Sequence, residues 1–504
     1  MIRARRHSSG NVQECPLQFA RKSRIVDGSG SFALPNIMLT FRHPGARLCD
    51  GISRREMLRV GGLGLMGLAL GDLLKAPALA AANGPPTSGK AKSCIILFLM
   101  GGPPQHSTWD PKPDAPAEVR GEIEPIGTKL PGIQFGALMP KLAGLADKLA
   151  VLRAVSTGDN AHSSSGYYMM TGRPHAPMNF ENANPGPPND WPNIGSVVGQ
   201  LTTPRGELPR TVRLPCHIYN TDGSVWPGQT GGFLGRSADP WLFRCEPASA
   251  GFKIPEFSLP VDVPTERLTL RHSLLSELNQ KLSVVESSGR LGEYDGLTQR
   301  AFNLLSSPQA RQAFDLTAER DNVRQQYGMS QFGQSCLLSR RLIEAGVRLV
   351  QVNWFRGQDE PSDNPCWDSH TNETQRLKEV LIPPMDSAFS ALLTDLAERG
   401  LLDETLVVCL SEFGRTPRFN GRAGRDHWGS VFSIALAGGG VRGGIVHGAS
   451  DKLGAYPQDG LVKPEDITAT IFHCLGILPE SEIHDSLGRP FTISRGQVLS
   501  PILV

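Results

Sequence analysis

The chain has 504 residues, enough for a large core and, by length alone, for two or three domains. Its composition is that of an ordinary globular protein apart from 55 Gly and 40 Pro, which imply many loops. Residues 1–80 hold 12 of the 51 Lys/Arg and 5 of the 49 Asp/Glu, so the remainder carries 39 against 44, a net charge near −5. No Lys/Arg-rich stripe survives there, which argues against a nucleic-acid binder.

The first element is a leader. Arg54-Arg55 precede a short apolar, Gly-rich run, Val60 to Leu70, and then Ala78-Leu79-Ala80 with small residues placed for cleavage. The run is about half the roughly 20 residues a membrane span needs, so it reads as a removable signal with no stable span after cleavage near Ala80. The twin arginine makes the twin-arginine translocase the expected export partner and the periplasm or the exterior the destination. That route carries folded proteins, which fits a metal acquired in the cytoplasm. Residues 1–37 resemble no targeting element, and Met38 is a second candidate start. Three segments follow: residues 1–82 as extension and signal, 83–92 as a polar linker, and 93–504 as the folded domain.

Within that domain Ser93–Met100 is a continuous apolar run, the pattern of a strand buried on both faces. Gly101 to Pro113 form its loop. Met139 to Leu149 has helical spacing, Leu149–Val155 reads as the next strand, and a serine-rich loop leads into a helix that Thr171-Gly172 closes. Residues 176–265 are rich in Pro, Gly and Asn and read as a loop-rich, substrate-side insertion. Residues 268–345 read as helical, with Gly346 placed to end the last helix. Val347–Trp354 is a strand, and Met385, Phe389, Leu392, Leu393 and Leu396 share one helical face that ends at Gly400. Thr405–Ser411 and Val431–Ala437 are further strands, Gly438–Gly444 is a loop between strands, and a late helix opens at Asp466. Strands alternating with helices predict an α/β fold, a mostly parallel sheet covered on both faces.

The nine cysteines, seven of them beyond the leader, include no Cys-x-x-Cys, so thiolate zinc and thioredoxin-like chemistry are not expected. Cys94 and Cys409 fall inside apolar strands as core residues, and Cys216 with Cys245 is the best pair for a disulfide. The chemistry gathers elsewhere. Trp367-Asp368-Ser369-His370 and Glu412, followed by Arg415 and by Arg425-Asp426-His427, lie just beyond strand ends. Ligands bind there in open α/β sheets. Carboxylates and imidazoles together are what a divalent ion takes as ligands, Zn²⁺ or Mn²⁺ first among them, as one ion or two.

Read in order, five motifs carry a resemblance: Gly-Gly-Pro-Pro with Thr-Trp-Asp-Pro-Lys-Pro (101–113), Met-Met-Thr-Gly-Arg (169–173), Trp-Asp-Ser-His (367–370), Ser-Glu-Phe-Gly-Arg-Thr-Pro (411–417) and Gly-Arg-Asp-His-Trp (424–428). The chain resembles the exported, sulfatase-like family filed as domain of unknown function 1501. More loosely it resembles the alkaline phosphatase superfamily, which includes sulfatases and phosphoglycerate mutases. That resemblance implies an alkaline-phosphatase-like sheet and a metal site at Asp368, His370, Glu412 and His427. For a second ion it offers Gly101-Gly102 where an Asp is usual and Phe413 where His or Asn is usual, leaving Asp110 or His106 to reach back. The sulfatase nucleophile position falls on His162, with Ser163 beside it. No Pro follows as that motif requires and Gly166 stands in place of its Arg, which excludes the formylglycine route. Ser163 as nucleophile and His162 as base or metal ligand remain as alternatives. His106, Arg415, Arg425 and Asp426 are candidate substrate contacts, the guanidinium being suited to phosphate or sulfate oxygens.

The reading is an exported, metal-dependent hydrolase of phosphate or sulfate esters, acting on a small molecule or a polysaccharide. Its rival is a non-catalytic envelope protein that keeps the fold and a structural metal, since fold does not fix function. A mutase-like isomerase is a weaker third reading.

Overall fold

The computed structural model describes residues 89–252, 307–356 and 366–504, together with parts of 267–305. The twin-arginine segment and its cleavage site lie outside the described residues. Eight strands form the main sheet: β1 (Ser93–Leu99), β2 (Leu149–Val155), β3 (Thr211–Leu214), β4 (Trp241–Leu242), β5 (Leu349–Trp354), β6 (Thr405–Leu410), β7 (Phe432–Ala437) and β8 (Ile445–His447). Their order is β8-β2-β7-β6-β1-β5-β3-β4. Each neighbouring pair is parallel except those of β7, which runs antiparallel to β2 and β6. The expected α/β class is what the chain forms.

The apolar run of β1 explains its central place. Successive side chains of a strand point to opposite faces, so a strand covered on both sides needs apolar residues throughout. Ile95, Leu97 and Leu99 enter one apolar cluster, and Cys94, Ile96 and Phe98 enter the other. Helices cover both clusters: α1 (His162–Thr171), α2 (Ile194–Leu201), α3 (Gln331–Glu344), α4 (Ile382–Glu398) and α5 (Pro464–Cys474). α3 and α4 lie over the first cluster, and α1, α2 and α5 over the second. The stripe Met385, Phe389, Leu392, Leu393 and Leu396 is fully buried. Gly346 and Gly400, at φ +99 and +69, follow α3 and α4 in the left-handed backbone expected after a helix end.

Two expectations change. Met139–Leu149 is not one helix but two short turns, Pro140–Ala143 and Ala146–Lys148, parted at Gly144. Asp386 of α4 caps the first turn, accepting the N–H groups of Lys141 (3.1 Å) and Leu142 (2.9 Å). Within the 176–265 segment the described residues contribute α2, β3 and β4 and so extend the sheet edge. Cys216 and Cys245 are free thiols. Among the described residues, no helix is long and apolar enough to cross a membrane.

The topology brings distant segments to one edge. Parallel neighbours β6, β1 and β5 end there and release Ser411-Glu412, Gly101-Gly102 and the segment reaching Asp368. β2, parallel to them through antiparallel β7, leads by a short loop to His162 at the start of α1. β7 starts at the same edge, five residues after His427.

Candidate metal centre

Asp368 is the meeting point. His370 Nε2 and His427 Nε2 lie 2.9 and 3.0 Å from its Oδ1, and His162 Nε2 lies 3.1 Å from its Oδ2. The two nitrogens of His370 and His427 are themselves 3.0 Å apart. Each ring is fixed from behind through Nδ1. His370 donates to Asp426 Oδ1 (2.9 Å), His427 to the Asn160 carbonyl (2.7 Å) and His162 to Glu412 Oε1 (2.8 Å). In a neutral imidazole only one nitrogen carries hydrogen. With all three Nδ1 hydrogens committed to acceptors, neutral rings would turn three bare Nε2 atoms toward one another and toward a carboxylate.

Four acceptors facing inward repel unless a cation lies among them. The protein meets part of that demand with a proton: burial disfavours a charged His162, but Asp368 and Glu412 outweigh it and raise its pKa to about 10. His427 stays neutral, its pKa lowered to about 3 by burial and by the neighbouring His162. Burial also opposes the charge on Asp368, yet His162 and Arg415 hold it well below the usual carboxylate range. His162 Nε2 is buried and makes no well-formed hydrogen bond despite the nearby oxygen. Ligand atoms of His162, Asp368 and His427 lie within 4.8 Å of one another. Around a tetrahedral zinc with bonds near 2.1 Å, ligand atoms stand about 3.3 Å apart, so small movements would admit an ion. The donor set fits a divalent metal.

The groups that pack behind these side chains, Glu412, Arg415 and Phe413, are fully buried. Glu412 Oε1 also accepts the Gly101 N–H (2.8 Å) and Oε2 accepts the Ser411 hydroxyl (2.8 Å). Arg415 bonds Asp368 Oδ1 (2.5 Å), the Gly102 carbonyl (3.1 Å) and the Arg425 carbonyl (3.0 Å). Phe413 stacks on His427 at 4.5 Å between centroids and lies 4.9 Å from His162. A Cβ on Gly101 would meet the Asp368 amide at 2.4 Å, and one on Gly102 would meet the Phe413 ring at 2.7 Å. Close packing, not a carboxylate, therefore occupies the end of β1.

The family model described as "Protein of unknown function (DUF1501)" matches residues 91–503. The chain belongs to the DUF1501 family. No curated protein matches it in sequence. Among solved structures, this DUF1501 chain is similar to Ps i-CgsB at 11% identity and TM-score 0.40, over 81% of this chain and 76% of that one. It is similar to the lipoteichoic acid synthase LtaP from Listeria monocytogenes at 11% and 0.36, over 83% and 80%. A protein in the alkaline phosphatase superfamily from Vibrio parahaemolyticus gives 10% and 0.37, over 83% and 72%.

Of the residues singled out from sequence, this DUF1501 chain brings Asp368, His370, His427 and His162 together. Asp426 stands directly behind them as the orienting partner of His370 and is not a free substrate contact. Glu412 sits one layer back, its oxygens taken by His162, Gly101 and Ser411. Ser163 is turned away: its hydroxyl donates to the Phe180 carbonyl (3.0 Å) and accepts the Ala183 N–H (2.9 Å). Adjacent helix positions point about 100° apart, so His162 and Ser163 cannot both face the centre. Asp110 is engaged by Lys112 (3.0 Å), Arg153 (3.4 Å) and Ser450 instead of the cluster. His106 is buried against the Leu453 carbonyl at 2.8 Å. Arg425 is also buried, held by Glu373 (3.0 Å) and the carbonyls of Thr416 (2.9 Å) and Val119 (2.6 Å). Neither Arg415 nor Arg425 is free to take a substrate oxygen. Two neighbours went unread in the sequence: Asn160, which orients His427, and Glu181. The Glu181 carboxylate accepts the His162 N–H (2.8 Å) and comes within 3.9 Å of His427 Nδ1. Both sit in polar loop sequence without any pattern.

Ser163→Ala should therefore cost about 1–3 kcal/mol of stability in urea unfolding, by stranding buried backbone partners. Bound metal and turnover should stay within about threefold. Retained metal with a hundredfold or greater loss of rate would return Ser163 to the role of nucleophile.

Proposed function

We propose that this protein is a metal-dependent hydrolase of phosphate or sulfate esters, exported by the twin-arginine route. The observation that carries the reading is the convergence of three imidazole Nε2 atoms on the Asp368 carboxylate. His162, His370, His427 and Asp368 would hold one divalent ion, zinc before manganese because imidazoles predominate. Such an ion polarises an ester oxygen and makes water a nucleophile near neutral pH. The looser resemblance of these loops to the alkaline phosphatase superfamily supports the same assignment.

The chain's own residues supply position and protection. Asp426, the Asn160 carbonyl and Glu412 fix the three rings, and such partners typically matter 10–100-fold for metal affinity. The proton that Asp368 and Glu412 hold on His162 would leave when Nε2 takes up the ion, because only the neutral imidazole can be a ligand. Phe413 and Trp226, the latter 5.8 Å from the His162 ring, close the inner side to solvent. With Ser163 turned away, attack by water fits better than a covalent serine path. One observation favours the rival reading of a structural metal in an envelope protein: both loop arginines are buried, so neither guanidinium is free to grip an ester anion.

Two tests follow from this reading. Zinc- or manganese-loaded mature protein should hydrolyse 4-nitrophenyl phosphate or sulfate faster than the free ion. His370→Ala and His427→Ala should each lose metal and activity together while keeping their circular dichroism. Full metal content with no turnover across a broad ester panel would favour the structural reading. For export, replacing Arg54 and Arg55 with Lys should leave the precursor in the cytoplasm on fractionation, and normal export of that variant would refute the route.

A further inference from the structure

Two strained residues fall on one groove beside the centre. Asn372 (φ 47°) and Ala423 (φ 54°) hold left-handed backbone that side-chain-bearing residues rarely adopt, each at a cost of order 1–3 kcal/mol. The strained segments are tied across to each other: Asn372 N–H donates to the Arg422 carbonyl (3.2 Å) and Glu373 N–H to the Ala423 carbonyl (3.0 Å). Both strained residues line the same groove of about 770 Å³. That volume falls in the usual range of small-molecule sites, about 300–1,000 Å³.

The lining is rich in hydrogen-bonding groups and carries two carboxylates, Glu122 and Glu379, against one ammonium, Lys378. Asn372, Thr374 and Gln375 face it from one segment, and Asn420 and the Phe419 ring from another. The Thr374 hydroxyl and the amides of Asn372 and Gln375 offer donors and acceptors that match sugar hydroxyls, with Gln375 Nε2 3.3 Å from Glu379. The Asn420 amide, by contrast, is spent on His370, Asp426 and its own loop, and the Phe419 ring is stacked under Arg425. The one lining cation among the described residues, Lys378, is paired with Glu122 at 3.2 Å, and Glu379 adds a carboxylate. An anionic group would find no free positive partner there.

The groove shares a wall with the metal centre. Asn420 lines it and, from Nδ2, donates to Asp426 Oδ1 (3.1 Å) and to the His370 carbonyl (3.1 Å), and Asp426 in turn holds the His370 ring. Asn372 stands two positions beyond His370. An ester group at His370 and His427 would lead the rest of its molecule past the exposed Asp426 into this groove.

We propose that the groove is a subsite for the uncharged, polyhydroxylated portion of the substrate, so that the ester cleaved is carried on a sugar. The inference rests on the hydrolase reading, and its test is chosen to involve no turnover. Saturation-transfer NMR on the metal-loaded mature protein would use neutral di- to tetrasaccharides of glucose, galactose, mannose, N-acetylglucosamine and fucose as probes. At least one should receive transfer. The double variant Thr374→Ala/Gln375→Ala should weaken that binding about tenfold, the worth of one or two neutral hydrogen bonds. Gln375→Ala alone, at an exposed position, should shift it in the same direction with melting temperature and metal content unchanged. Transfer to none of the probes, or equal binding by the variants, would overturn the subsite. An inert metal centre would leave this readout intact and would count against the hydrolase reading alone.

Discussion

A buried carboxylate surrounded by three imidazoles and a guanidinium is the interaction on which the rest of this site depends. Taking Asp368 out of water costs several kcal/mol unless its partners are well placed. Arg415 supplies the first partner from a fully buried position and, through the Gly101 and Gly102 carbonyls, ties Asp368 to the end of β1. Removing one member of a buried pair of this kind typically costs about 3–5 kcal/mol. The guanidinium thus fixes the carboxylate before any ligand arrives. The imidazoles can then be held at bonding range from Asp368 by partners of their own.

The sheet makes this possible. Its three central parallel strands end at one edge, and the two that carry Glu412 and Asp368 flank the one whose glycines allow both loops to close. β1 bears no ligand of its own because its end is packed: Gly101 against the Asp368 amide, Gly102 against the Phe413 ring. That ring lies against two of the three imidazoles. The end of β1 and the position after Glu412, where the superfamily resemblance looks for ligands to a second ion, are taken up by glycine and aromatic packing.

Much of this was legible in the sequence, for physical reasons. β1, β2, β5, β6 and β7 announce themselves because a strand buried on both faces must be apolar throughout. Asp368, His370 and His427 stand out because a carboxylate and imidazoles just beyond strand ends have few other uses. β3 and β4 were hidden in Pro- and Gly-rich sequence, being only four and two residues long. Arg415 and Arg425 read as substrate contacts because most of their acceptors are backbone carbonyls, which leave no trace in residue type. Asp110 looked like a spare ligand because one of its cations, Arg153, comes from the next sheet strand. The exchange of roles between His162 and Ser163 turns on one step of a helix, and only the loop from Phe180 to Ala183, bonding the hydroxyl, decides which side chain faces inward.

The central claim is that three imidazoles and one carboxylate form a single ion's shell. X-ray absorption at the metal edge, on mature protein loaded with zinc, reads that shell directly. The account predicts nitrogen and oxygen neighbours at about 2.0–2.2 Å with outer-shell scattering from three imidazole rings. A shell of oxygens alone, or one containing fewer than two imidazoles, would contradict it.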